Sequence, residues 1–126
     1  MIELTGGRRV YAYAHPADLR KGYDGLSALV EQELGLDPLS GDLYLFVSRN
    51  RQRAKILLFD GSGLCILMKR LERGRFASLW RRIEGGRVHL SRAELALFLE
   101  GSSMVGRRRL VPEEMTQKDL AIGVSM

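Results

Sequence analysis

The 126-residue sequence predicts an α+β fold: an antiparallel meander sheet of about five short strands with two amphipathic helices. Three observations carry that prediction. Short apolar runs at Leu43-Tyr44-Leu45-Phe46-Val47, Ile56-Leu57-Leu58-Phe59 and Leu64-Cys65-Ile66-Leu67-Met68 are parted by Gly- or Arg-rich turns. Leu26, Leu29, Val30 and Leu34 recur at helical spacing. Ser91 with Glu94 three residues later makes a capping box ahead of a second apolar cluster, Leu95, Leu97, Phe98 and Leu99.

In chain order, Val10, Tyr11, Ala12 and Tyr13 form a β-prone segment that His15-Pro16 terminates, so a first strand is expected over 9–13. The first helix begins near Gly25 with Glu31, Gln32 and Glu33 on its polar face, and Gly35 and Pro38 stop it. In the central meander, Asp60-Gly61-Ser62-Gly63 supplies residues that tolerate positive φ, which predicts a tight hairpin between the second and third apolar runs. These runs are apolar at every position instead of alternating, which requires cover on both sheet faces and leaves room for a partner subunit, a homo-oligomer included. Arg87-Val88-His89-Leu90 is expected to be the last strand, and the helix capped by Ser91 covers about 92–100. The apolar period is lost after Gly101, so the chain divides into one α+β domain, 1–101, and a C-terminal tail of uncertain order, 102–126.

With 45% hydrophobic and 28% charged residues, the composition is that of an ordinary globular domain. No apolar run is long enough to cross a bilayer, and the first residues lack an export signal, so a cytoplasmic location is expected with no membrane partner. The one cysteine excludes an internal disulfide and a cysteine-based zinc site. No cofactor is expected. Where the charge sits says more than its total of +5: residues 1–48 carry four Lys/Arg against seven Asp/Glu, residues 49–92 twelve against three, and residues 93–126 four against five. The middle third is thus +9, and a field of that sign gathers polyanions.

Arg49, Arg51, Arg53 and Lys55 alternate, so in an extended chain they leave one face of the ribbon together. The returning strand brings Lys69 and Arg70 back beside them, Arg73 and Arg75 follow around Gly74, and Arg81, Arg82 and Arg87 continue the series. These residues predict a basic end of the sheet that holds DNA backbone, since arginine suits bidentate contact with phosphate. Phe76 and Trp80 can stack on bases if they reach the surface and otherwise fill the core.

Several strings resemble an accessory family of bacterial transposable elements. They are Asp18-Leu19-Arg20-Lys21-Gly22-Tyr23-Asp24-Gly25-Leu26, Asp37-Pro38-Leu39-Ser40-Gly41, Lys55-Ile56-Leu57, Asp60-Gly61-Ser62-Gly63-Leu64-Cys65, and the most specific, Lys69-Arg70-Leu71-Glu72-Arg73-Gly74-Arg75-Phe76. Occurring in order from about residue 8 to 101, they identify the chain as similar to the TnpB accessory proteins of the insertion-sequence-sixty-six family, which are distinct from the RNA-guided nuclease of the same name. The resemblance implies a bacterial protein needed for transposition, encoded beside a larger acidic-triad transposase, with that transposase and DNA as partners and without a catalytic residue of its own. Ser102 and Ser103 depart from the more aromatic continuation expected there, and Arg107, Arg108 and Arg109 fall outside the resemblance.

Two functional classes follow. In the first the chain is a non-catalytic accessory protein that contacts DNA through the basic end. In the second it is an interaction module that binds the transposase with little DNA contact, through exposed parts of the apolar strands or through Arg20, Lys21 and Tyr23. An enzyme would need converging carboxylates, but of Asp18, Asp24, Asp60 and Glu72 the last three have structural readings: a helix cap, a turn residue and a partner for flanking arginines. His15 and His89 are isolated, and Cys65 within an apolar strand reads as packing.

Overall fold

In the computed structural model the chain is described over residues 7–80 and 86–101. Strand β1 is Val10–Tyr13, helix α1 is Tyr23–Leu29 with a π-helical last turn Val30–Leu34, and strands β2, β3 and β4 are Leu43–Val47, Arg53–Phe59 and Leu64–Arg70. Strand β5, Arg87–Leu90, leads into helix α2, Arg92–Glu100. Each expected element is present, and α2 opens on the expected capping box: Ser91 Oγ accepts from the Glu94 backbone N–H at 3.0 Å and the Glu94 carboxylate accepts from the Ser91 N–H at 2.7 Å. Asp24, expected to cap α1, lies in its first turn, while the N-cap position is Gly22 with no side-chain cap.

The sheet is mixed, which corrects the expectation of an all-antiparallel meander. Its order is β4-β3-β2-β1-β5. The β2-β3-β4 part is the antiparallel meander, and β5 is antiparallel to β1, but β1 runs parallel to β2 with Val10 opposite Leu43. The cause is the connection between them. A helix that follows one strand and packs on the sheet face returns the chain to the end where that strand began, so the next strand enters in the same direction. Apolar runs show that strands exist; the direction of a pair depends on what lies between them.

Both faces of the central strands are covered, as the unbroken apolar runs require. On one face Leu26, Val30 and Leu34 of α1 pack with Tyr44, Phe46 and Leu57. On the other, Leu95 and Phe98 of α2, with Phe76 and Leu79, pack against Leu45, Val47, Ile56 and Leu58. All five residues of β2 are buried, whereas β4 is exposed over its second half. Phe76 is fully buried and stacks on Phe98, ring centroids 4.8 Å apart, so it takes the core role and has no access to a nucleic-acid base. Trp80 is half-buried against the same cluster.

Candidate nucleic-acid interface

The basic end is built from the turn at 48–52 and the segment that follows β4. The turn is held by two of its polar side chains and a backbone bond: Arg53 N–H donates to Ser48 Oγ at 3.1 Å, Gln52 N–H to Asn50 Oδ1 at 3.0 Å, and Arg51 N–H to the Ser48 carbonyl at 2.9 Å. Two backbone bonds dock the later segment on it, Leu71 N–H to the Gln52 carbonyl at 2.8 Å and Phe76 N–H to the Arg51 carbonyl at 2.7 Å. Arg73 and Arg75, both exposed, are thereby carried to the same end of the sheet as Arg49 and Arg53.

The expected single-faced series Arg49, Arg51, Arg53, Lys55 is not what the turn produces. Arg49 and Arg51 lie in the turn, outside the extended strand, so alternation governs only Arg53 and Lys55. Arg51 takes φ 59°, the one non-glycine residue of positive φ among those described, and its Nη1 donates to the Phe76 carbonyl at 3.0 Å. Burial, and then the charge of Arg75, lower its pKa from the usual arginine value. Arg51 is therefore a clamp between turn and segment.

Arg53 lies directly across from Arg70 in the β3–β4 ladder, and Lys55 across from Met68, so Arg53, Lys55 and Arg70 share the face that carries α1. Lys69, opposite Ala54, points to the other face, where its Nζ donates to the Leu99 carbonyl at 2.6 Å, within the last turn of α2. The pattern 69–70 thus splits between two faces, and Lys69 leaves the expected patch to neutralise a helix C-terminus. Lys55 Nζ donates to the Lys21 carbonyl at 3.0 Å, tying β3 to the loop ahead of α1. Arg81 and Arg82 lie outside the described residues.

That loop brings the Arg20, Lys21 and Tyr23 segment to the same place. An open groove of about 460 Å³ runs between the loop and the turn, lined by Asp18, Arg20, Arg49, Asn50 and Arg53, with Leu19 and Met68 as apolar lining. Arg20 is not free: its Nε and Nη2 donate to Asp18 at 3.0 and 2.9 Å, and these bonds hold the Asp18 carboxyl down at about 2. Arg70 pairs with Glu72 at 3.1 Å. Among the described residues Arg49, Arg53, Arg73 and Arg75 make no ion pair. Asp18, Asn50 and Met68 belong to the groove without any signal in the sequence, because they reach it from three separate segments.

Of the carboxylates considered for catalysis, Asp18 and Glu72 are in ion pairs, and Asp60 accepts from the N–H groups of Ser62 and Gly63, both at 2.9 Å. Among the described residues no three His, Cys, Asp or Glu side chains are grouped as a metal would need. The Cys65 thiol, 3.7 Å from Asp60, is pushed up by burial and by that carboxylate, so it stays protonated at neutral pH. No helix among the described residues is long and apolar enough to cross a membrane.

The sequence matches the family described as IS66 Orf2 like protein over residues 8–109, which includes the seryl pair at 102–103 and Arg107, Arg108 and Arg109 beyond the span first expected. Two relatives come from Sinorhizobium fredii (strain NBRC 101917 / NGR234). The uncharacterized protein y4hO is 39% identical over 93 residues, covering 74% of this chain and 79% of its own. The uncharacterized protein y4jC is 35% identical over 101 residues, covering 80% of this chain and 85% of its own. No solved structure matches. The chain belongs to the IS66 Orf2-like family of accessory proteins associated with transposition.

Proposed function

We propose that the protein is a non-catalytic, cytoplasmic accessory factor of transposition that holds DNA by its phosphate backbone at the basic end of the sheet. The observation that carries this reading is the pairing of Arg53 with Arg70 directly across the β3–β4 ladder, beside Arg49, Arg73 and Arg75. Like charges in that position oppose strand pairing, and Glu72 answers only one of them. A polyanion laid across the end relieves the repulsion and releases its counterions. Arginine suits bidentate contact with phosphate, and phosphate contacts carry no sequence information, so the binding proposed is to backbone with little sequence preference.

The test is a titration of labelled duplex and single-stranded DNA at several salt concentrations. Four backbone contacts give a log–log salt slope of roughly −3 to −4 on duplex. Charge reversal of Arg49, Arg53, Arg73 and Arg75 removes the binding and leaves circular dichroism unchanged, because all four side chains are exposed. Arg51 and Lys69 are unsuitable for this test, since each holds a backbone carbonyl of another segment. Binding that survives the four reversals counts against the patch. A salt-insensitive interaction with the transposase, and none with DNA, establishes the interaction-module reading, for which the exposed Tyr23 beside Arg20 and Lys21 is the surface to alter.

A further inference from the structure

Strand β4 ends the sheet, and no described residue pairs with its outer edge. The bonds that flank the β3–β4 ladder, Asp60 N–H to the Gly63 carbonyl at 3.0 Å and Leu71 N–H to the Gln52 carbonyl at 2.8 Å, fix which backbone groups face which way. With Leu57 opposite Ile66, residues 65, 67 and 69 turn their N–H and C=O groups toward β3, while Leu64, Ile66, Met68 and Arg70 turn theirs outward. No proline or glycine interrupts 64–70. The side chains are also uncovered: Leu67 is 46% and Met68 50% exposed, and alternation puts them on opposite faces of the sheet. Cover on one face hides only one of the two, whereas a strand laid along the edge shields both.

We infer that this edge is a homodimer interface, in which β4 strands of two copies pair antiparallel about a two-fold axis at Leu67. The edge is self-complementary in that register. Leu64 and Ile66 of one copy stand opposite Arg70 and Met68 of the other, so each outward backbone group meets an outward group. Leu67 meets its own counterpart in a close, non-hydrogen-bonded pair with Cα atoms about 4.5 Å apart. The register also sets no like charges together near the axis: Cys65, whose thiol lies 3.7 Å from the Asp60 carboxylate, comes opposite Lys69 of the second copy. An axis nearer the end of the strand would instead set Arg70 against Arg70. Charged side chains usually guard an edge against pairing, but here Lys69 is drawn to the Leu99 carbonyl and Arg70 to Glu72. The two-fold leaves both α1 faces on one side of a continuous sheet, with the two Arg53–Arg70 pairs roughly 20 Å apart along the strands.

The inference is independent of DNA contact and is tested on the full chain by sedimentation equilibrium over a range of concentrations. The wild type sediments as a dimer. Leu67→Glu, which sets two carboxylates together at the axis, raises the dimer dissociation constant on the order of tenfold or more with unchanged circular dichroism. In a Cys65→Ser background, Leu67→Cys crosslinks to a covalent dimer under mild oxidation, as the short Cα separation allows, and Leu39→Cys, equally exposed elsewhere, does not. A wild type that is monomeric throughout overturns the interface. So does a dimer in which Leu67→Cys fails to crosslink, and that arm decides the matter if Leu67→Glu does not fold.

Discussion

Two residues show how much local geometry the sequence strings hide. Gly101 closes α2 at φ 75°, and a Cβ added there would lie 2.6 Å from Leu71 Cδ2. Gly101→Ala therefore meets two obstacles at once, a left-handed backbone that costs an L-residue roughly 1–2 kcal/mol and a contact that must shift the Leu71 side chain. Urea denaturation should show a loss of about 2 kcal/mol, and a variant as stable as the wild type would mean that the α2 terminus is looser than its contacts indicate. The ion pair at the groove gives a second prediction at this scale. Asp18 occupies both forks of Arg20, so Asp18→Asn removes one negative charge and frees a guanidinium beside Arg49 and Arg53. DNA affinity at low salt rises by roughly two- to fivefold, with a salt slope steeper by up to about one unit; unchanged titrations would place the bound strand away from the loop.

At the scale of elements, sequence periodicity was a good guide wherever one segment decides the outcome and a poor one wherever two segments meet. The helix start at Ser91 depends only on Ser91 and Glu94, and the capping box was legible before any fold was known. Ser91→Ala should cost about 1 kcal/mol in chemical denaturation, and a neutral result would show that tertiary packing alone holds α2. The hairpin at Asp60 was legible for the same reason, since its carboxylate bonds residues two and three places on. Those bonds hold its carboxyl at about 2, below the unfolded value near 4. The sign follows: a depressed pKa stabilises the fold above pH 4, and the contribution is lost as pH falls from about 4 through 2. The stability difference between wild type and Asp60→Ala, followed by thermal melts, is accordingly full at pH 6 and shrinks toward pH 2. The parallel β1–β2 pair, the left-handed turn at Arg51 and the diversion of Lys69 to α2 were not legible. The first and last are set by partners far away in the chain, the crossover helix and the Leu99 carbonyl, and the Arg51 guanidinium likewise ends on the distant Phe76 carbonyl, while its backbone is held within the turn itself.

For the whole molecule the question is whether the basic end acts as a site or the chain merely as a positive particle. A net charge of +5, with +9 in the middle third, attracts DNA even without a defined contact surface. Reversing charges anywhere weakens such attraction, so reversal of the patch alone does not separate the two cases. A matched pair of variants does. Arg53→Glu with Arg73→Glu, and Arg9→Glu with Arg92→Glu, each change the charge by −4, from +5 to +1, and all four side chains are exposed. Arg53 and Arg73 belong to the end where the turn and the docked segment meet, whereas Arg9 precedes β1 and Arg92 opens α2 on the opposite sheet face. If phosphates sit at the basic end, the first variant loses about two units of salt slope and at least tenfold in affinity at low salt, and the second keeps the wild-type slope with a smaller loss from the weaker overall field. Equal losses in both would mean that DNA is held by net charge with no preferred surface. The protein's part in transposition would then have to be sought in its contacts with other proteins.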